Sequence, residues 1–142
     1  MSARKRTHLA PSSEEELVDL ILRHIRRTFG RGTRVASEVR SHGRFKTDVC
    51  VYADGSIFAI EAKLVHWRRA LGQARLNSFY ADRSYIALWE PMVRDGIVHE
   101  ARQHGIGVIG VGRSRMTVIN ALEARSPNPD LRSRILASAF GA

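Results

Sequence analysis

A single cysteine, Cys50, is all the thiol chemistry this chain has. An internal disulfide and a cysteine-built zinc site are thereby excluded, and a reducing cytoplasm is the expected setting. Lysine is nearly as scarce, three residues against twenty arginines, and aromatic residues make up 7% of the 142 positions. No apolar run approaches the roughly 20 residues that cross a bilayer, and the N-terminus lacks the apolar stretch of a signal peptide, so no membrane association is expected. What remains is 44% hydrophobic, enough for one core. The expected organisation is a flexible basic arm over residues 1–11 and a single domain over 12–142, without repeats or a linker.

The charge balance is the first positive signal. Lys and Arg total 23 against 14 Asp and Glu, a net charge of +9. Arginine's planar fork binds phosphate bidentately, so the excess suits a polyanion such as DNA. A GC-rich genome would account for the Arg-to-Lys ratio, but not for the surplus of positive charge.

Periodicity supplies the elements. Ser12 or Ser13 caps a helix headed by Glu14, Glu15 and Glu16, with its apolar stripe on Leu17, Leu20, Ile21, Ile25 and Phe29 and its stop at Gly30. Residues 33–41, 46–54 and 56–64 read as three consecutive strands. A helix follows from His66 to about Ala81, then a strand over 84–90 that Pro91 ends. A helix from Val93 to His104, a strand over 106–112, a candidate strand over 116–121 and a C-terminal helix from Leu131 to Phe140 complete the chain. This order, α-β-β-β-α-β with further α-β at the C-terminus, predicts an α/β fold. A three-stranded meander is extended by parallel strands into a mixed sheet with helices on its faces.

The hairpin between the second and third strands carries the chemistry. Asp54-Gly55 is a strong two-residue turn signal. If it makes the turn, Ala53 opposes Ser56 and, counting on, Asp48 opposes Glu61, with Cβ atoms about 4.5–5.5 Å apart. Lys63, two positions beyond Glu61, is expected on the same face, while Val49, Val51, Phe58 and Ile60 face a core. Two opposed carboxylates repel each other unless they share a hard cation such as magnesium. A lysine beside them can orient or deprotonate an attacking water, or steady charge on a phosphate. Solvated charges at an exposed strand end, with Lys63 simply neutralising one acid, would have the same spacing.

Asp48 followed thirteen positions later by Glu61-Ala62-Lys63, on a hairpin preceded by a helix and a strand and followed by a helix, resembles the PD-(D/E)xK nuclease superfamily, the restriction-endonuclease-like fold. The resemblance spans roughly residues 14–111 and is nearest the small DNA-repair and Holliday-junction-resolvase-like members. Their Gly…Asp…E-x-K core reads GRFKTDVCVYADGSIFAIEAK here, with Thr47 where the family name has proline. The resemblance implies that Asp48, Glu61 and the carbonyl of Ala62 hold Mg2+ or Mn2+ and that Lys63 serves the attacking water. It also implies an upstream acid, for which Glu38 is the choice over Glu14 to Glu16, and a supporting glutamine, Gln73. Some branches place a tyrosine four residues after that glutamine; here the position is Asn77.

The expected function is therefore a Mg- or Mn-dependent endonuclease acting on DNA in repair, recombination or defence. Arg40, Arg44, Arg68, Arg69 and Arg75 are candidate phosphate contacts, and a homodimer or protein partner is the expected source of specificity. An inactive DNA-binding or accessory module on the same fold, and an RNA-binding protein, are the two alternatives.

Overall fold

Capping chemistry sets the first element. In a computed structural model, which describes residues 9–40, 46–124 and 127–142, the Ser13 hydroxyl accepts the Glu16 N–H at the start of helix α1 (Glu14–Phe29). The Glu16 carboxylate accepts in turn from the backbone N–H and hydroxyl of Ser12 and from Arg113. The Ser12 bonds first, then Arg113, hold that carboxyl at a pKa of about 2. Acids in the first turn and Arg26 and Arg27 in the last match the helix dipole. Gly30, at φ 110°, ends the helix and donates its N–H to the Arg26 carbonyl. Of the expected N-terminal arm, residues 1–8 lie outside the described residues. Next to them the Leu9 carbonyl accepts two bonds from Arg113, and Pro11 is buried.

Strands β1 (Arg34–Arg40), β2 (Lys46–Ala53) and β3 (Ser56–Ala62) form the antiparallel meander. Asp54 and Gly55, at φ 51° and 77°, make the two-residue turn. Pairing therefore runs from Ala53–Ser56 to Val49–Ile60, the register counted from the sequence. Helix α2 (Trp67–Asn77) carries the chain to β4 (Arg83–Trp89), parallel to β3. Helix α3 (Asp95–Gln103) leads to β5 (Gly107–Val111), parallel to β4, and β6 (Met116–Ile119) returns antiparallel. The result is a mixed six-stranded sheet in sequence order. Helix α4 (Pro129–Phe140) closes the chain, its Asn128 side chain accepting the Leu131 N–H.

Several boundaries differ from the periodicity: β3 ends at Ala62 and β6 at Ile119, each two residues early, the last helix starts two residues early at Pro129, and two helix ends move for visible reasons. Helix α2 stops at Asn77, where the Ser78 N–H folds back onto the Ala74 and Arg75 carbonyls and the chain turns to bury Tyr80. Helix α3 starts at Asp95, because Pro91 sits in a 3-10 turn, Glu90–Met92, and Val93 is extended.

Helices cover both faces of the sheet. On one, Leu17, Leu20, Ile21 and Ile25 of α1 pack on Val49, Val51, Ile60, Tyr85 and Ile109. On the other, α2 and α3 place Ala70, Leu71, Ala74, Ile97 and Ala101 over Ile86, Leu88 and Val108, while Ile135 and Phe140 of α4 cover Cys50, Ile57 and Ala59. The hairpin face that carries Cys50 and Ala59 is thus core as well. Among the described residues no helix is long and apolar enough to cross a membrane.

Candidate active site

The charged end of the hairpin is where the strands part. Beyond Val49–Ile60 the Asp48 carboxylate accepts the Ala62 N–H at 2.8 Å, standing in for a ladder carbonyl. Glu61, across from Asp48, is 2% exposed, and its Oε1 accepts from Asn77 Nδ2 on α2 at 2.9 Å. Burial first, then the charge of Asp48, push the Glu61 carboxyl up to a pKa of about 8; the Asn77 bond and the Lys63 charge pull the other way.

The neighbouring strand opens at the same level. Glu38 lies between the Ser37–Val49 and Val39–Thr47 pairs at φ 50°, a left-handed backbone that costs a non-glycine residue about 1–2 kcal/mol. It sits inside β1, two residues before the strand ends at Arg40. On β2, Thr47 and Cys50 are three residues apart, yet both reach the Tyr80 hydroxyl, so the strict alternation of the strand is interrupted between them. The opening is a cleft of about 520 Å³ lined by Glu38, Asp48, Ala62, Lys63 and Gln73, with Glu14, Glu15 and Asp19 of α1 on its other wall.

Five of the expected site residues therefore line one cleft, and Glu61 lies buried beside it. Lys63 does not follow Glu61 to the same side. The Glu61 carboxyl turns under α2, whereas Lys63 Nζ reaches toward α1 and pairs with Glu14 Oε2 at 3.3 Å. The sequence reading did not anticipate Asp19, although it is the one charge interrupting the apolar run Leu17–Leu22. Nor did it give roles to Thr47, Tyr80 or Asn77. Asn77 falls one helical turn after Gln73, and that spacing is the signal that was available.

The arginines divide. Arg69 and Arg75 line an open groove of about 620 Å³ along α2 that shares Gln73 with the cleft. Arg68 lies over the Trp67 ring at 4.4 Å and pairs with Glu100 at 3.7 Å. Arg40 is exposed at the end of β1, and Arg44 lies outside the described residues.

Among the described residues, no three His, Cys, Asp or Glu side chains gather into a metal cage. Hard oxygen donors stand at the cleft and beside it instead: the Asp48 carboxylate and the Ala62 backbone in its lining, and the buried Glu61 carboxyl, which Asp48 repels, next to them. Such a donor set fits Mg2+ or Mn2+ completed by water better than a soft metal. Behind it, burial raises the Cys50 thiol to a pKa of about 12 and lifts the Tyr80 hydroxyl further still, so both keep their protons.

No family model matches the chain, and no curated protein does. Among solved structures it is similar to the SPO1766 protein of unknown function from Silicibacter pomeroyi, at 17% identity and a TM-score of 0.70, over 94% of this chain and 87% of that one. A looser likeness, at 14% identity and a TM-score of 0.42, is to Pyrococcus furiosus SfsA in complex with Ca2+, over 76% of this chain and 62% of that one. The first of these shares the fold.

Proposed function

We propose that the protein is a nuclease of the PD-(D/E)xK type that hydrolyses DNA phosphodiester bonds with Mg2+ or Mn2+. The observation that carries this reading is the pairing of Asp48 with a buried Glu61, the Glu61 carboxyl driven to a pKa of about 8 beside it. A like-charged pair in such a place is costly unless a cation is shared. When bound, the divalent ion would supply Lewis acidity toward a phosphoryl oxygen. Asp48, Glu61 and the Ala62 carbonyl would hold it. Lys63, released from Glu14, would orient the attacking water or steady the charge building on the phosphate. Glu38 and Gln73 would support the cleft from its two flanks, and Arg69 and Arg75 would hold the phosphate backbone along α2. Arg40, exposed at the end of β1, would add to that basic surface.

The Lys63–Glu14 ion pair favours a second reading, in which the same fold serves as an inactive DNA-binding module and Lys63 is structural. A matched pair of measurements separates the two. Cleavage is followed with Mg2+ and Mn2+ on branched, single-stranded and duplex DNA, and affinity with Ca2+ in their place, for the wild type and Lys63→Ala. The nuclease reading expects Lys63→Ala to lose about 10²–10³ in rate with its affinity kept, because one positioned charge acts locally in the transition state. A wild type that cleaves none of these DNAs, or a Lys63→Ala that cleaves as well as the wild type, sinks it.

A further inference from the structure

Four polar groups that the reading above leaves unused form one line beneath the cleft. Cys50 Sγ lies 3.4 Å from Tyr80 Oη, which lies 2.5 Å from Thr47 Oγ1. Thr47 Oγ1 lies 3.0 Å from Asn77 Oδ1, and the amide of Asn77 meets Glu61. All four residues are buried, none more than 3% exposed, so water does not substitute for any member of the line. Valine, phenylalanine and leucine would fill much the same space without burying polar atoms, and a buried polar network is costly wherever it is incomplete. This one is complete, and it ends on a carboxylate of the candidate site.

Counting protons gives the line a direction. Thr47 has a single hydroxyl proton, and it goes to Asn77 Oδ1. The contact between Thr47 and Tyr80 is then donated by Tyr80, whose oxygen is left to accept from the Cys50 thiol. With its oxygen engaged by Thr47, Asn77 presents its NH2 to Glu61 Oε1. With Glu61 ionised, as a bound cation would require, the turned-over amide would set its oxygen against the carboxylate and give up the bond that Thr47 donates. Thr47 therefore decides which way Asn77 faces, and Asn77 decides which Glu61 oxygen is occupied.

We infer that Cys50, Tyr80, Thr47 and Asn77 form a positioning relay that holds one oxygen of Glu61 and leaves the other for a cation, selecting a small divalent ion over a larger one. The inference rests on the metal-dependent reading above. Mg2+ and Mn2+ favour compact octahedral sites, whereas Ca2+ takes six to eight oxygens at longer distances and often claims both oxygens of a carboxylate. A carboxylate with one oxygen already held by an amide N–H serves the first kind of ion and handicaps the second.

The test is calorimetric titration of Mn2+ and of Ca2+ into the full-length wild type, Thr47→Val, Thr47→Ser and Tyr80→Phe, each checked by thermal melting. The wild type should prefer Mn2+. Thr47→Val should lose about 10-fold or more in Mn2+ affinity, the usual cost of removing a partner that orients a metal ligand, and less for Ca2+, so that the preference narrows. Thr47→Ser keeps the hydroxyl and should restore the preference, and Tyr80→Phe should narrow it to a smaller degree. A Thr47→Ser that narrows the preference as much as Thr47→Val would mean that packing, not the hydroxyl, matters, and would overturn the relay. So would an unchanged preference in both Thr47→Val and Tyr80→Phe. If Thr47→Val does not fold, Tyr80→Phe against the wild type decides the matter by the same criterion. A wild type that binds neither ion would remove the metal-dependent reading itself, an outcome visible before any variant is compared.

Discussion

Replacing Asp48 by asparagine should make the metal-free protein more stable at pH 8, even though it removes a proposed metal ligand. The Glu61 carboxyl rises from 4.5 to about 8 on folding, with burial the larger cause and the charge of Asp48 the second. One pKa unit is about 1.4 kcal/mol, so the whole rise represents roughly 5 kcal/mol. The sign follows from linkage: below 4.5 Glu61 is protonated in both states and nothing is lost. Between 4.5 and 8 the unfolded chain releases the proton while the folded one keeps it, so stability falls throughout that window and levels off above it. Asp48→Asn removes the second cause and keeps an oxygen to accept the Ala62 N–H, which Asp48 takes at 2.8 Å. A like charge directly opposite costs roughly 0.2–1 kcal/mol, which gives a melting temperature about 1–4 °C higher at pH 8 in chelator for a chain of this size. At pH 5, where Glu61 is protonated in the folded protein, the gain should vanish. Magnesium should then raise the melting point of the wild type and leave the variant unmoved. Scanning calorimetry at the two pH values reads all of this. A variant that melts no higher than wild type at pH 8, or gains equally at both pH values, would show that the two carboxyls are not coupled as described.

Two further outcomes are expected, the first resting on the proposed function and the second on the packing of the sheet. DNA affinity should fall steeply with salt, and replacing Arg69 and Arg75 together by alanine should flatten that dependence for every sequence tested; Arg68→Ala should do less, because Arg68 is engaged by Glu100 and Trp67. Filter binding at several ionic strengths checks this, and an affinity indifferent to salt would count against a nucleic-acid partner. Gly107→Ala should destabilise by about 1–3 kcal/mol or more in urea melts, since a Cβ there would stand 2.5 Å from the Ile119 carbonyl oxygen. A variant as stable as wild type would show that β6 yields easily.

The features legible beforehand are those with short sequence reach. The cap at Ser13, the acids of the first turn and the stop at Gly30 depend on neighbours within a few residues. The Asp54-Gly55 turn is equally local, and once it forms, the period of two in β2 and β3 carries the register as far as Val49–Ile60, one step short of Asp48 and Glu61. The mixed character of the sheet followed in the same way from short connections within the meander and helical ones after it.

Tertiary packing decided the rest. Periodicity told nothing of the left-handed turn at Glu38 within β1, nor of the interrupted alternation between Thr47 and Cys50, because both arise where the sheet parts around the cleft. The destination of each charge was hidden for the same reason. Glu61 meets Asn77 sixteen residues away, Thr47 meets Asn77 thirty away, and Lys63 meets Glu14 across forty-nine. Sequence spacing says which residues share a strand face. Only the packing of α1 against one side of the sheet and α2 against the other determines that the Glu61 carboxyl is buried and held by an amide, while the Lys63 ammonium is left half-exposed in the cleft, paired with Glu14.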